Sequence, residues 1–227
     1  MSTVTVGSQA LTLLPEKAAF LAASRTLLVA DVHIGKAVSF RSFGVPVPRG
    51  TTAETLSTLA SLASRLAVRR IVVLGDFLHS ARSLAPATLA TLARWREDHA
   101  NLDVTLVRGN HDSRAGDPPA RLGIEVVDEP FQLDGLALSH HPRHRPGAYV
   151  LAGHLHPCIS LHGRAHDRLR LPCFWFGATV GVLPAFGAFT GMHPIRPLRG
   201  ERVFAIADAQ VTELPQPCDE GLAAVRR

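Results

Sequence analysis

Three continuous apolar runs punctuate the first half of the chain, and each gives way to polar residues. Thr26-Leu27-Leu28-Val29-Ala30 ends at Asp31, Ile71-Val72-Val73-Leu74 ends at Gly75-Asp76, and Val104-Thr105-Leu106-Val107 leads into Gly109-Asn110-His111-Asp112. Runs that lack polar alternation suit strands buried on both faces. Between the first two runs, Leu56, Leu59, Leu62 and Leu66 recur at helical spacing, and Thr51 with Glu54 three positions on has the form of a capping box. A second helix is predicted from about Pro86, which suits a first turn, through Leu89, Leu92 and Trp95. Strand, helix, strand, helix, strand implies parallel pairing with right-handed crossovers. Residues 34–50, with Pro46, Pro48 and Gly50, read as a loop.

The second half has shorter apolar segments. Strands are predicted at 124–127, 131–133, 136–139, 149–152, 169–176 and 203–207, with Asp134-Gly135 joining the second and third as a tight hairpin. Leu171 to Met192 carries no charge and is long enough to cross a bilayer. Pro172, Pro184 and glycines at 177, 181, 187 and 191 would break one helix repeatedly, so buried strands and turns are predicted and no membrane contact. The first 14 residues lack the basic stretch of a signal peptide. No internal repeat or linker divides the chain, so residues 1–214 are expected to form a single domain and the tail from Pro215 to be poorly ordered.

Composition narrows the class further. With 46% apolar and 19% charged residues over 227 positions, a disordered chain is excluded. The balance of 24 basic and 19 acidic residues, +5, favours an anionic partner such as nucleic acid or a phosphorylated substrate. Only Lys17 and Lys36 are lysines, so a GC-rich genome accounts for the arginines equally well. Cys158, Cys173 and Cys218 lie far apart, with no disulfide framework or thiolate zinc site, which fits a reducing cytoplasm.

Asp31, Asp76 and Asn110 each sit just beyond the carboxyl end of a predicted strand, the edge where open α/β sheets place ligands. His33 follows Asp31 by two positions. Downstream, His140 follows one strand, and His154 and His156 follow another, two apart and so on one side of an extended chain. Two Asp, one Asn and four His form a mixed oxygen and nitrogen set suited to Mn²⁺, Fe or Zn²⁺, not to Ca²⁺ or an iron–sulfur cluster. Seven ligands exceed one ion's needs. A carboxylate can bridge two cations, and pairs about 3.5–4 Å apart are a recurrent device for phosphoester hydrolysis.

In these blocks the chain resembles the calcineurin-like metallophosphoesterases, whose motifs D-x-H, G-D-x-x-[DH], G-N-H-[DE], a lone His and G-H-x-H occur in that order. Here they read Asp31-Val32-His33, Gly75-Asp76-Phe77-Leu78-His79, Gly109-Asn110-His111-Asp112, His140 and Gly153-His154-Leu155-His156, so the resemblance covers about residues 26–180. It implies an α/β, four-layer αββα sandwich with two mixed β-sheets. It implies one metal on Asp31, His33, Asp76 and His156 and another on Asp76, Asn110, His140 and His154, with Asp76 bridging. His111 would stand beside the metals as general acid, oriented by Asp112 or His79. His141 adjoins His140; Pro142 favours His140, because the family often shows His-x-Pro there. The chemistry implied is in-line hydrolysis without a covalent intermediate, with the metals neutralising phosphoryl charge.

The run Leu27 to Ala37, the following Arg41-x-x-Gly44-x-Pro46-x-Pro48 and Gly75-Asp76-x-x-His79-Ser80 look like the bacterial ligase-associated DNA damage response endonucleases. That resemblance implies a manganese-dependent phosphodiesterase or endonuclease acting on DNA in repair, associated with an ATP-dependent DNA ligase and a helicase. Lys36, Arg41 and Arg49 with Phe40 and Phe43 offer the cations and stacking surfaces of a single-stranded nucleic-acid groove, and Arg143 and Arg145 near His140 form a second phosphate-contacting pair. The competing reading is that these rings pack beneath the loop and these cations are solvated. His99, His144, His162, His166 and His193 stand outside every block and read as packed or surface residues. An enzyme on small nucleotides or cyclic nucleotides would use the same ligands, and a metal-binding scaffold without turnover would not need His111.

Overall fold

In the computed structural model, which describes residues 2–42, 44–46, 50–162 and 168–216, the three apolar runs lie side by side. Phe43, Pro48, Arg49, His166, Cys218, the side chain of His162 and the tail beyond residue 216 fall outside the described residues. Strands β1 (Ser2–Val6), β2 (Gln9–Leu14) and β3 (Ala18–Leu21) form an antiparallel meander, unforeseen above, that leads into β4 (Thr26–Val29). Parallel neighbours β5 (Arg70–Leu74), β6 (Asp103–Val107) and β7 (Ile124–Val127) follow in order. Together they make a mixed sheet in the order β1 to β7.

Alternation explains why the runs are apolar throughout. Leu27, Val29, Ile71, Val73, Val104 and Leu106 share a core with α2 (Thr51–Arg65) and α3 (Pro86–Asp98), while Leu28, Ala30, Val72, Leu74 and Val107 point the other way into a second core. Each buried Leu or Val stabilises the fold by about 1.5–3 kcal/mol. The α2 face is the predicted Leu56, Leu59 and Leu62, and the indole N–H of Trp95 donates to the Leu56 carbonyl at 3.0 Å. The capping box does not form: Thr51 is already helical, Gly50 precedes it at φ 96°, and no side chain caps the end. Nor is the whole stretch after Asp31 a loop, since α1 spans Lys36–Ser42.

The second core faces a second mixed sheet built from β8 (Phe131–Leu133), β9 (Leu136–Leu138), β10 (Tyr149–Ala152), β11 (Pro157–His162), β12 (Arg168–Phe176), β13 (Val180–Val182) and β14 (His193–Pro194), in the order β14-β11-β12-β13-β10-β9-β8. Beside β12 runs β15 (Arg202–Ala207), itself paired with β16 (Gln210–Glu213). Asp134 and Gly135 take φ of 53° and 79° in the predicted β8–β9 turn. Leu136, Leu138, Leu151, Phe174, Phe176 and Phe204 meet the first sheet, so the uncharged stretch is strands and turns. Among the described residues no helix is long and apolar enough to cross a membrane.

The α/β sandwich of two mixed sheets is therefore present. All helices among the described residues, α4 (Asn110–Ala115) included, fall between β4 and β7 and so belong to the first sheet's half of the chain. The second sheet's far side instead carries small residues, Ala137, Val150 and Ala152, and a cluster of Cys173, Ile195 and Val203 packed by Ile159, Trp175 and Leu214. Gln216 is held by Gly200 N–H and the Glu201 carbonyl, so the chain is still tied just past Pro215.

Candidate metal centre

Asp31, Asp76 and Asn110 lie beyond the carboxyl ends of β4, β5 and β6, and His140, His154 and His156 lie beyond those of the parallel strands β9 and β10. The sandwich brings these edges together. Asp31, His33, Asp76, His154 and His156 all take left-handed backbone conformations, with φ of 53°, 50°, 52°, 70° and 50°. Each costs about 1–2 kcal/mol for a residue with a β-carbon. A main-chain ladder holds them: Asp31 N–H donates to Gly75 O, His33 N–H to Asp76 O and Ile34 N–H to Phe77 O at 3.2, 2.9 and 2.8 Å. Glycine permits the approach, because a β-carbon at Gly75 would collide with the His140 ring and one at Gly153 would stand 2.7 Å from Asp31 Oδ2.

Two sets of donor atoms converge. In the first, Asp31 Oδ1 lies 3.4 Å from His156 Nε2, and His33 Nε2 lies 3.9 Å from Asp76 Oδ2. Asp31 Oδ1 and His33 Nε2 are buried with no hydrogen-bond partner among the described residues, a costly state for polar atoms unless a cation completes them. The Nδ1–H of His156 donates to Gly191 O at 3.0 Å, which leaves Nε2 to face Asp31. In the second set, His140 Nε2 lies 2.9 Å from Asn110 Oδ1, 3.0 Å from His154 Nδ1 and 3.5 Å from Asp76 Oδ1. The His140 Nδ1–H is committed to Leu74 O at 3.1 Å, so its Nε2 turns a lone pair toward the acceptor oxygens of Asn110 and Asp76. Asp76 offers one oxygen to each set, the position of a bridge.

Electrostatics favour the neutral imidazole at His33 and His154. Burial, with Lys36 and the neighbouring histidines, pushes His33 down to about 2. Burial and the adjacent His140 and His141 lower His154. His156 is also desolvated, but its contact with Asp31 outweighs that and raises it. Unpartnered oxygen and nitrogen donors around a shared carboxylate fit a pair of divalent cations.

Around these sets, His111 donates Nδ1–H to the His79 carbonyl at 2.7 Å and stacks on the His79 ring at 5.0 Å, so its Nε2 faces the site 4.0 Å from Asp76 Oδ2. Orientation of His111 thus comes from His79. Asp112 acts elsewhere. Its buried carboxylate accepts the N–H groups of Phe77, Leu78 and Gly109 at 3.3, 2.8 and 3.0 Å and clamps the β5 loop to the β6 loop. His141 donates to Glu129 Oε1, and Glu129 Oε2 accepts both the His140 and His141 N–H groups. Lys36 lines a small cleft with His33, and its ammonium stands 5.7 Å from the Phe40 ring. Arg41 and Arg143 are exposed, on α1 and two residues past His141.

The sequence reading missed Glu129, which no motif marks, and Phe189. The Phe189 ring is 54% exposed on a left-handed residue (φ 56°) and lines clefts shared with His33, Lys36 and His156.

Residues 24–145 match the family model for calcineurin-like phosphoesterase. Among solved structures, the Pseudomonas putida nuclease MPE is 46% identical, with 94% of this chain and 99% of that one covered and a TM-score of 0.84. Yfce, a phosphoesterase from E. coli, aligns at 14% identity over 83% of this chain and 97% of its own with a TM-score of 0.42, too remote to bear on the argument. No curated protein matches. With more than half its length inside the family model and both donor sets set on the sheet edges, the chain belongs to the calcineurin-like phosphoesterases, metal-dependent hydrolases of phosphoesters.

Proposed function

We propose that the protein is a dinuclear, manganese-dependent phosphodiesterase or endonuclease that cuts DNA, single strands included, in cytoplasmic damage repair beside an ATP-dependent DNA ligase and a helicase. The supporting observation is the convergence of two donor sets on Asp76, with Asp31 Oδ1 and His33 Nε2 buried and unpartnered among the described residues. Asp31, His33, Asp76 and His156 would hold one cation, and Asp76, Asn110, His140 and His154 the other. Bound divalent metals lower the pKa of water toward neutrality and neutralise phosphoryl charge. With Nδ1–H kept on the His79 carbonyl, His111 as the imidazolium gives its Nε2 proton to the leaving oxygen and returns to the neutral ring. His79 positions that ring, and Asp112 fixes the two loops that carry Asp76 and His111.

The nucleic-acid reading is supported by the similarity to a nuclease over nearly the whole chain and by the rim. Lys36, Arg41 and Arg143 supply cations, and Phe40 and Phe189 supply ring faces on which bases stack. The test is hydrolysis of bis-p-nitrophenyl phosphate, p-nitrophenyl phosphate and circular single-stranded DNA by metal-stripped protein with added Mn²⁺, Fe²⁺ or Zn²⁺, alongside His111→Ala. The expected result is Mn²⁺-dependent nicking of the circle that falls roughly 10²–10⁴-fold in the variant. Hydrolysis of the small esters with an intact circle would move the substrate to small nucleotides.

A further inference from the structure

Beside the metal centre, on the far side of the second sheet, a pocket of about 270 Å³ has walls from Pro142, Leu155, Trp175 and Val182, with Gly177 and Glu201 at one end. Leu155 stands between His154 and His156, and Pro142 follows His141, so one wall belongs to the loops that carry the metal-site histidines. The volume falls just below the range of roughly 300–1,000 Å³ that drug-sized ligands need, which suits one flat ring system. Trp175 presents its indole there, pinned by its N–H to Glu201 Oε2 at 2.9 Å.

Glu201 Oε2 also accepts Leu198 N–H at 2.7 Å, whereas Oε1 accepts no hydrogen bond among the described residues. Oε1 lies 3.6 Å from where a β-carbon at Gly177 would stand, an ordinary van der Waals contact, so a methyl group there would cover one side of this oxygen. A slot with an indole wall, the Thr179 side chain and one unspent carboxylate oxygen suits a flat ligand that carries an N–H donor.

We infer that this pocket takes one nucleobase of the strand being cut, flanking the scissile phosphate, and that Glu201 Oε1 accepts a hydrogen bond from its exocyclic amino group. The inference rests on the DNA reading above. Adenine, cytosine and guanine carry that group; thymine does not, and its one donor, N3–H, lies between two carbonyl oxygens that repel a carboxylate. A phosphate held at the metal centre places a neighbouring base within reach of Leu155 and Pro142, and seating it there fixes the register of the strand.

Mapping of cut sites in single-stranded DNA of mixed sequence tests this, with Glu201→Gln and Gly177→Ala compared with the parent protein and melting temperature as the fold control. In Glu201→Gln, the amide oxygen keeps the bonds to Trp175 and Leu198 and its N–H₂ group faces the pocket, so an acceptor becomes a donor. The parent is expected to disfavour thymine at one fixed position by roughly tenfold, the size of one charge-assisted hydrogen bond. Glu201→Gln should lose that bias, because every base carries an acceptor for the amide N–H₂. Gly177→Ala adds a methyl group 3.4 Å from Val180 O at a backbone conformation any residue adopts, and should raise KM for DNA and flatten the bias. Indifference to base in the parent, or an unchanged bias in both folded variants, overturns the inference alone. A parent that hydrolyses bis-p-nitrophenyl phosphate and leaves DNA whole overturns the DNA reading, and this inference with it.

Discussion

Asp31→Asn separates what the buried carboxylate does for the metal from what it does to the fold. Asp31 is fully buried; Oδ2 accepts His154 N–H at 2.9 Å, and Oδ1 faces His156 Nε2 without a hydrogen bond. Asparagine keeps the first bond through its oxygen and can donate to the His156 lone pair. It also tolerates the left-handed backbone at least as well as Asp. Leaving a buried polar group unsatisfied costs about 1–3 kcal/mol. At roughly 2–4 °C per kcal/mol for a chain of this size, the metal-free variant should melt about 2–12 °C above the parent. Mn²⁺ at 100 times its dissociation constant stabilises the parent by about 2.7 kcal/mol, about 5–11 °C. The variant has lost a charged ligand and should show almost none of that shift. The assay is a thermal melt with EDTA and then with Mn²⁺, and it requires no substrate. An Asp31→Asn protein that melts below the parent in EDTA, or shifts equally with Mn²⁺, would refute this account of the site.

Three further outcomes follow from the geometry. Burial holds His33 down to about 2 in the fold against about 6.5 in an unfolded chain, so below pH 6.5 only the unfolded state takes up that proton. Its contribution to metal-free stability is full above 6.5 and falls by about 1.4 kcal/mol per pH unit on acidification, a slope that urea titrations should find reduced in His33→Gln. Asp112→Asn turns an amide N–H₂ toward backbone N–H groups whichever way it sits and should destabilise by about 1–3 kcal/mol in the same titrations. Arg41→Ala and Arg143→Ala should each flatten the salt dependence of single-stranded DNA binding by about 0.7 in log–log slope, and an unchanged slope removes that residue from the DNA-contact set.

Much of the fold was legible because burial leaves a mark on sequence. Strands buried on both faces must be apolar throughout, so the ends of β4, β5 and β6 stood out where Asp31, Asp76 and Asn110 begin. The placing of His140 follows from strand parity: Leu136 and Leu138 point into the core between the sheets, and His140 continues their side, while His141 falls on the other and pairs with Glu129. The β1–β3 meander went unread although Val4 and Val6, then Leu11 and Leu13, alternate as a half-buried hairpin does; two pairs of apolar positions make a faint period. Helix α1 spans only seven residues, too few for a helical period to emerge. What Glu129, Asp112 and Gly191 O do depends on tertiary contacts that no local pattern encodes.

The left-handed positions of the proposed ligands have a consequence for what can replace them. Asp, Asn and His are the side chains that visit that conformation most readily after glycine, and they are also oxygen and nitrogen donors short enough to reach a cation from a tight turn. The amino-acid alphabet at these sites is thus closed twice over, once by coordination chemistry and once by the backbone. Glutamate satisfies the chemistry and not the backbone, so Asp→Glu exchange at residues 31 and 76 is no conservative change. A designer who grafted the side chains onto another sandwich without these turns and glycines would transplant the ligands and leave the site behind.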